Sequence, residues 1–443
     1  MKQITVCYIK LKKDSFISNV LNTAHFLNAL SEYAKVITIE KTSHEIDFNE
    51  LEALGADYVL ADIKNFGAMQ FILREKQNIN IPFILIMRTV SCWLDAFLHI
   101  IPLIRKEDII ISPSQYAKEA FLKIAKGVKV NVIVHCIDVQ NIQNTIKNAH
   151  SFSNKSIKRI AFMGRLIPDK GPGILIDCMP KIISKVKTAS LDIVSPLGDK
   201  GMNDFPLSSY ARQLKQKVRK LGLSARVNFT GFKAAPDKYH ILSQTDVFVL
   251  PTTTEEENFS IASLEALACG IPVITTDYWA SKEFLTHGVN GYLINTFQSK
   301  NAKLAFDKKQ LISFIIKVLK DKKLSIRLKN TASVSARNYD YRKVMPQLVR
   351  LLKKRNARHA ATRWHLIKNK RPIDFKNCFN KDFLFFLHYL SFFEKKTYAD
   401  LCGISKKPVR KKKSHNFSKD IISLHNKTHA GLLKYLTLSR IGL

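Results

Sequence analysis

The chain has 443 residues, 46% of them hydrophobic, and a formal net charge of +35. This length predicts about two or three domains, and the apolar residues suffice to fill their cores. The seven cysteines are scattered without Cys-x-x-Cys spacing, which indicates a reducing compartment and argues against a zinc site. No apolar run reaches the length of about 20 residues that crosses a bilayer, which argues against a membrane span.

The amino-terminal third alternates short strand-like runs with helical patterns. It begins with MKQITVCYIKLKK, which resembles a first strand more than a signal peptide. The predicted strands are ITVCYI, VITI, DYVLAD, IPFILIM, DIIIS and VNVIV, with a helix over residues 19–33. This alternation predicts a parallel sheet covered on both faces, in a domain of residues 1–150. In SPSQ, at 112–115, we expect a serine that ends a strand and caps a helix rather than a nucleophile.

The same alternation restarts after a polar, pattern-free linker at residues 148–158. Its predicted strands are RIAFMG, LDIVS, RVNFTG, DVFVLP, PVITT and GYLI, in a second domain of residues 151–335. Residues 336–354 contain a closing helix. Two doubly wound sheets joined in this way predict a cleft between the carboxyl ends of their strands, where ligands bind in such sheets.

A loop that follows the first strand of the second domain has the composition of a phosphate site. The segment GRLIPDKGPG, at 164–173, contains Arg165 and Lys170 and ends in glycines and a proline before a helix. Backbone amides, the helix dipole and both cations would point toward one anion. The alternative is an exposed loop with two solvated charges.

A second segment, EEENFSIASLEALACGIPVI at 255–274, places a carboxylate within an apolar helix predicted over residues 259–268. The neighbours of Glu265 on its helical face are all apolar, and an unpaired buried carboxylate costs several kcal/mol. Glu265 therefore needs hydrogen-bond donors, either ribose hydroxyls of a bound nucleotide or a lysine or arginine of a neighbouring helix. Glu257 lies just ahead of the helix, and Gly270 is its predicted end.

These two segments together resemble the retaining sugar-nucleotide glycosyltransferases of family 4, the group 1 glycosyltransferases. The family pattern is a Gly-Arg-Leu…Lys-Gly loop, two glutamates separated by seven residues, and Ala-x-Ala-Cys-Gly-x-Pro-Val, and each element is present here in order. The resemblance implies the GT-B fold, in which two Rossmann-like domains face a central cleft. It extends over about residues 1–354 and is strongest from 159 to 294.

The resemblance also implies roles for individual residues of the donor site. Arg165 and Lys170, beside Gly164, would neutralise the donor diphosphate, and Glu257 would face the donor sugar. Glu265 would bind the ribose. The remaining donor-binding residues would be Phe232 near the base and the backbone amides of Asn258, Phe259, Ser260 and Ile261. Stabilising the charge of the departing diphosphate is the main electrostatic task. Neither a metal nor another cofactor is expected, and the chain has no Asp-x-Asp.

Several positions depart from the family pattern. Asn258 and Ser260 stand where the family often has glycines, which affects the predicted contact with the sugar. Arg88 occupies the place of a histidine that many members carry, and KLKKDSFISN replaces the glycine pair after the first strand. The amino-terminal domain receives the acceptor in this fold, so these departures bear on acceptor identity.

Residues 355–443 have no counterpart in the family. Residues 341–443 hold 25 basic and 5 acidic residues, so more than half of the net charge lies in the last quarter of the chain. The segments FLFFLHYLSFF, at 383–393, and KKPVRKKK, at 406–413, suit an anionic membrane surface. We expect this extension to be mainly helical or partly disordered. One alternative to membrane binding is that it packs against the two domains with its lysines in solvent. The other is generic affinity for nucleic acid, although the extension has no recognisable motif for reading a nucleic-acid sequence.

The sequence as a whole predicts a retaining transferase that moves a hexose-type unit from a nucleotide sugar to a hydroxyl of a glycan or lipid-linked glycan. We expect it in cell-envelope polysaccharide, lipopolysaccharide or glycolipid assembly, as a cytoplasmic protein bound peripherally to the membrane. The alternative is a basic nucleic-acid-binding or lipid-binding protein that keeps the fold without turnover, because fold alone does not decide function. Such a binder has no need of Glu257 together with Arg165 and Lys170.

Overall fold

The structure is a computed structural model of the full chain. It describes residues 3–11, 17–41, 47–62, 70–87 except 72 and 76, 101–122, 125, 127–147, 156–198 and 208–354 except 255, 256, 258, 279 and 299–303. The predictions made for Arg88, Asn258 and residues 355–443 lie outside the described residues.

The described strands form two six-stranded sheets and one small hairpin. The strands are β1 Thr5–Leu11, β2 Lys35–Lys41, β3 Tyr58–Asp62, β4 Phe83–Ile86, β5 Ile109–Ser112, β6 Val130–Val132, β7 Lys158–Met163, β8 Ala189–Val194, β9 Val227–Gly231, β10 Val247–Leu250, β11 Val273–Thr276, β12 Gly291–Ile294, β13 Thr296–Gln298 and β14 Leu304–Phe306. The sheet orders are β2-β1-β3-β4-β5-β6 and β12-β11-β10-β7-β8-β9. Every strand pair in both sheets is parallel, whereas β13 and β14 pair antiparallel.

Helices connect these strands. They are α1 Ile17–Ser31, α2 Phe48–Ala53, α3 Gln115–Leu122, α4 Val139–Lys147, α5 Pro172–Lys185, α6 Ser209–Lys220, α7 Asp237–Ser243, α8 Ile261–Ala268, α9 Ser281–Phe284, α10 Lys308–Lys320, α11 Lys322–Ala336 and α12 Tyr341–Lys354. Among the described residues, no helix is long and apolar enough to cross a membrane. The alternation of parallel strands and helices confirms the prediction of two doubly wound sheets, and each predicted strand run overlaps an observed strand. The hairpin of β13 and β14 was not predicted.

The chain crosses between the two sheets twice, before α4 and before α12. At each crossing the helix that follows packs against the other sheet. Val139 and Ile142 of α4 pack in the core of the second sheet, although α4 lies within residues 1–150. Leu348 of α12 packs in the core of the first sheet. The two crossings pair with each other, since Ile137 N–H donates to the Tyr339 carbonyl at 2.9 Å. The closing helix therefore returns the chain to the first domain.

A buried charge network supports the first sheet. The Arg74 guanidinium, fully buried, donates to both carboxylate oxygens of Asp108 at 2.6 and 3.1 Å and lies 4.3 Å from the centre of the Phe83 ring. Arg105 pairs with Glu75 at 2.8 Å beside it. Because each charge has an opposite partner and hydrogen bonds, the network can lie in the core without an isolated ion.

Candidate functional site

Two loops meet where the strand order of the second sheet reverses. From β7 the chain proceeds to β8 and β9 on one side, and from β10 to β11 and β12 on the other, so β7 and β10 are neighbours at the reversal. Doubly wound sheets bind ligands beyond the carboxyl ends of their strands at such a point. The loop after β7 contains the two predicted cations, and the loop after β10 contains Glu257. The order of the strands thus brings these groups to one edge.

A close backbone contact joins the two loops. The Asp169 carbonyl accepts from Thr253 N–H at 2.6 Å and from the Thr252 hydroxyl at 3.3 Å. Gly171 has a φ of +79°, and a Cβ at this position would lie 2.3 Å from the Pro251 carbonyl oxygen. Glycine is therefore required at position 171 for two reasons: the second loop approaches too closely for a side chain, and the backbone of Gly171 is left-handed.

Lys170 and Glu257 contact each other across these loops. The Lys170 ammonium donates to Glu257 Oε2, and each side chain keeps only 12% of its surface exposed. Gly164 and Arg165, directly after β7, are half-buried. The structure therefore joins a predicted cation and a predicted carboxylate that lie 87 positions apart in the chain. A partly enclosed ion pair of this kind can exchange its internal partner for a charged ligand.

The helix that follows Glu257 begins at Ile261, two residues later than predicted. Ser260 precedes it as the N-cap, and its hydroxyl accepts from Ser263 N–H at 3.2 Å. Phe259 is buried and packs against Phe284 and Tyr339, with ring centres 5.3 and 5.6 Å apart. Side-chain capping and burial of the aromatic ring hold these two residues outside the helix. The helix ends at Ala268, close to Gly270, its predicted end. Gly270 has a φ of +72°, which glycine adopts readily.

Glu265 is buried and paired within the protein. Its carboxylate, in a residue only 4% exposed, accepts at Oε1 from the Lys238 ammonium at 2.6 Å and from the Tyr239 hydroxyl at 3.2 Å. Burial raises the pKa of Tyr239, and the charge and hydrogen bond of Glu265 raise it further. Of the two explanations offered for this carboxylate, pairing with a lysine of a neighbouring helix is present in the structure. The role in ribose binding stays a prediction.

Three residues near Glu265 were missed by the sequence analysis. Lys238 and Tyr239 belong to the short helix α7, which follows the half-buried Phe232. His25, in α1 of the first domain, is exposed as a whole residue. Partial desolvation lowers the pKa of His25, the Lys238 charge lowers it further, and the Glu265 charge raises it. No spacing in the sequence connects these residues, because tertiary packing alone makes them neighbours.

Part of the chain is similar to a known family of proteins. Residues 142–335 match the model of the glycosyl transferases group 1. Spore coat protein SA of Bacillus subtilis is 31% identical over 144 residues, which cover 32% of this chain and 36% of that protein. The lipopolysaccharide core biosynthesis mannosyltransferase LpsB of Rhizobium meliloti is 29% identical over 191 residues, 42% of this chain and 50% of that protein. The predicted resemblance is confirmed, and these matches span half or less of either relative.

A solved structure has the same fold. Anabaena Alr3699/HepE, in complex with UDP and glucose, aligns with a TM-score of 0.59 at 17% identity, covering 79% of this chain and 100% of that one. At this identity the likeness concerns the fold alone. Two parallel six-stranded sheets, each with helices, in the order described here form the predicted GT-B arrangement, so the fold prediction is confirmed.

Proposed function

We propose that this protein transfers a sugar from a nucleotide-sugar donor to a hydroxyl of a glycan or lipid-linked glycan, with retention of anomeric configuration. The observation that carries the proposal is the contact between Lys170 and Glu257 at the strand reversal of the second sheet. Both residues lie within residues 142–335, the part of the chain that matches the family model. In support, the named relatives include a mannosyltransferase of lipopolysaccharide synthesis, and the HepE structure holds UDP and glucose.

The proposed chemistry begins with an exchange of ionic partners. Before the donor binds, Lys170 compensates the charge of Glu257. A diphosphate would take over the Lys170 ammonium, with Arg165 adding charge, and would leave the Glu257 carboxylate to accept from sugar hydroxyls. The sugar–phosphate bond then breaks, the acceptor oxygen bonds to the same sugar carbon, and the hydroxyl proton leaves with the nucleoside diphosphate. Fixed cations favour this step because negative charge grows on the leaving group.

The remaining donor contacts are those that the resemblance to the family implies. The ribose would share the Glu265 carboxylate with Lys238, and Phe232 would lie beside the base. The amides of residues 258–261 would hold the sugar and phosphate ahead of α8. No group of three or more histidine, cysteine or acidic residues in the described parts of the chain is arranged to hold a metal. Independence from metal and other cofactors stays a prediction, and transfer in the presence of EDTA tests it.

The experiment that tests this function combines binding with turnover. Purified full-length protein is screened by thermal shift against a panel of nucleotide sugars, and the best donor is then assayed for hydrolysis and transfer. We expect stabilisation by at least one donor and its slow hydrolysis without acceptor. Binding without any turnover, undiminished in Lys170→Ala and Glu257→Gln variants, would favour the catalytically silent fold instead. Equal turnover by both variants and the unaltered protein would refute the assigned site.

We further propose that residues 355–443 hold the enzyme on the cytoplasmic face of an anionic membrane, close to a lipid-linked acceptor. Their charge supports this proposal, since 20 of the 25 charged residues from 355 to 443 are basic. Removing residues 355–443 should release the protein from anionic vesicles at low salt, whereas neutral vesicles should bind neither form. Undiminished sedimentation of the shortened chain with anionic vesicles would reject this role. Preferential binding of the full chain to nucleic acid would favour nucleic acid as the partner of residues 355–443.

A further inference from the structure

A carboxylate of the second domain binds the start of a helix in the first. Glu283, in α9, accepts from Gln115 N–H at Oε2 and from Tyr116 N–H at Oε1, both at 2.9 Å. These are the first two residues of α3. Ser114 Oγ accepts from the third amide, Ala117 N–H, at 3.0 Å, so the capping predicted for the SPSQ motif is confirmed. Two of the first three amides of α3 thus depend on the other domain for their acceptor.

The interaction is electrostatically favourable and accessible to solvent. The amino end of a helix carries partial positive charge, and a carboxylate with one oxygen on each of two amides matches it in charge and geometry. Tyr116 is 40% exposed and Glu283 is half-buried. Water can therefore replace the carboxylate when the domains separate, so the contact can form and break without leaving a buried ion.

The same short helix also touches the donor loop. Phe284, next to Glu283, packs on Phe259 with ring centres 5.3 Å apart. The Glu283 carbonyl accepts from the Tyr339 hydroxyl at 2.8 Å, and the Tyr339 ring lies 5.6 Å from Phe259. Phe259 is two residues beyond Glu257. A continuous set of contacts therefore runs from α3 of the first domain through α9 to the loop of the proposed donor site.

We propose that Glu283 is a positioning residue that couples closure of the two domains to the placement of the donor loop. When its carboxylate binds the amides of α3, α9 is fixed, and Phe284 and Tyr339 then hold Phe259 and the loop in the geometry described here. When the contact opens, the aromatic packing loses its support on one side. The inference that this placement serves transfer rests on the proposed function, whereas the coupling itself is a property of the unliganded chain.

Hydrogen exchange of the full-length, nucleotide-free protein tests the coupling. Glu283→Ala should increase the exchange of peptides covering the start of α3 by about fivefold, as expected for loss of a helix-end carboxylate at an exposed site. Peptides covering residues 251–261, which lie in the same domain as Glu283 but not in that of α3, should exchange faster as well, because Phe259 loses support from α9. Glu283→Gln keeps the side-chain shape and one acceptor oxygen, so its exchange rates should lie between those of the unaltered protein and those of Glu283→Ala. Glu50→Gln, which removes a surface carboxylate paired with Lys41, is the matched control and should change neither region.

A contact that only stabilised the fold would lower the melting temperature and speed exchange throughout the domain. Faster exchange at α3 alone, with residues 251–261 unchanged in both Glu283 variants, would overturn the proposal. If a donor turns over, kcat should fall by about tenfold in Glu283→Ala while KM for the donor changes by less than about threefold, because the missing step is closure. Absence of turnover in the unaltered protein would refute the proposed function but leave the exchange result valid.

Discussion

The exchange of partners at Lys170 predicts opposite effects for two substitutions in one ion pair. Lys170→Met removes the cation and leaves the Glu257 carboxylate, only 12% exposed, without its partner beside an incoming diphosphate. Loss of one hydrogen bond between charged groups costs about 2 kcal/mol, so the affinity for a nucleoside diphosphate should fall by roughly thirtyfold. Glu257→Gln instead frees Lys170 from competition, so the same ligand should bind equally well or a few times more tightly.

The double variant distinguishes this exchange from general damage to the site. In Lys170→Met with Glu257→Gln, the repulsive carboxylate is gone, so the affinity should recover part of the loss seen in Lys170→Met. Calorimetric titration with whichever of UDP, GDP or ADP gives the largest thermal shift measures all four proteins. Transfer should nevertheless fall by about a hundredfold or more in Glu257→Gln, because its contact with the sugar is lost. A tenfold weaker binding of the diphosphate by Glu257→Gln would refute the exchange.

Three further predictions concern the packing around this site and in the first domain. Gly171→Ala should destabilise the fold by more than about 1 kcal/mol in urea denaturation and weaken nucleotide binding, because the Cβ of the alanine would meet the Pro251 carbonyl. Unchanged nucleotide binding would show that the two loops can separate without effect on the site. Arg74→Met should cost about 3–5 kcal/mol, since the buried Asp108 carboxylate loses its bidentate partner; a loss below about 1 kcal/mol would contradict the network. Burial raises the pKa of the Cys178 thiol to about 11 from 9.0. The contribution of this thiol to the free energy of unfolding should therefore be full below about pH 9 and decline as the pH rises toward 11. The free energy of unfolding of Cys178→Ala should lack this decline.

Local patterns fixed much of the architecture. Alternating apolar runs and helical segments identified both sheets, because a strand buried on both faces must be apolar and short, and a parallel neighbour requires a crossover. Ser260 shifted the start of α8 from the predicted residue 259 to 261, since its hydroxyl caps the helix. The hairpin of β13 and β14 was missed because its strands have three residues each, too few to show a period.

The sequence by itself determined which residue types the proposed donor site contains, because a loop with the composition of a phosphate site and a capped helix carry their signals within about ten neighbouring residues. Only the tertiary structure decided their partners. Lys170 meets Glu257 because the strand order places two distant loops side by side. Lys238 meets Glu265 because α7 lies against α8. The contact of Glu283 with α3 has no local signal at all, since it joins backbone amides, which every sequence supplies, to a carboxylate brought there by the packing of two domains.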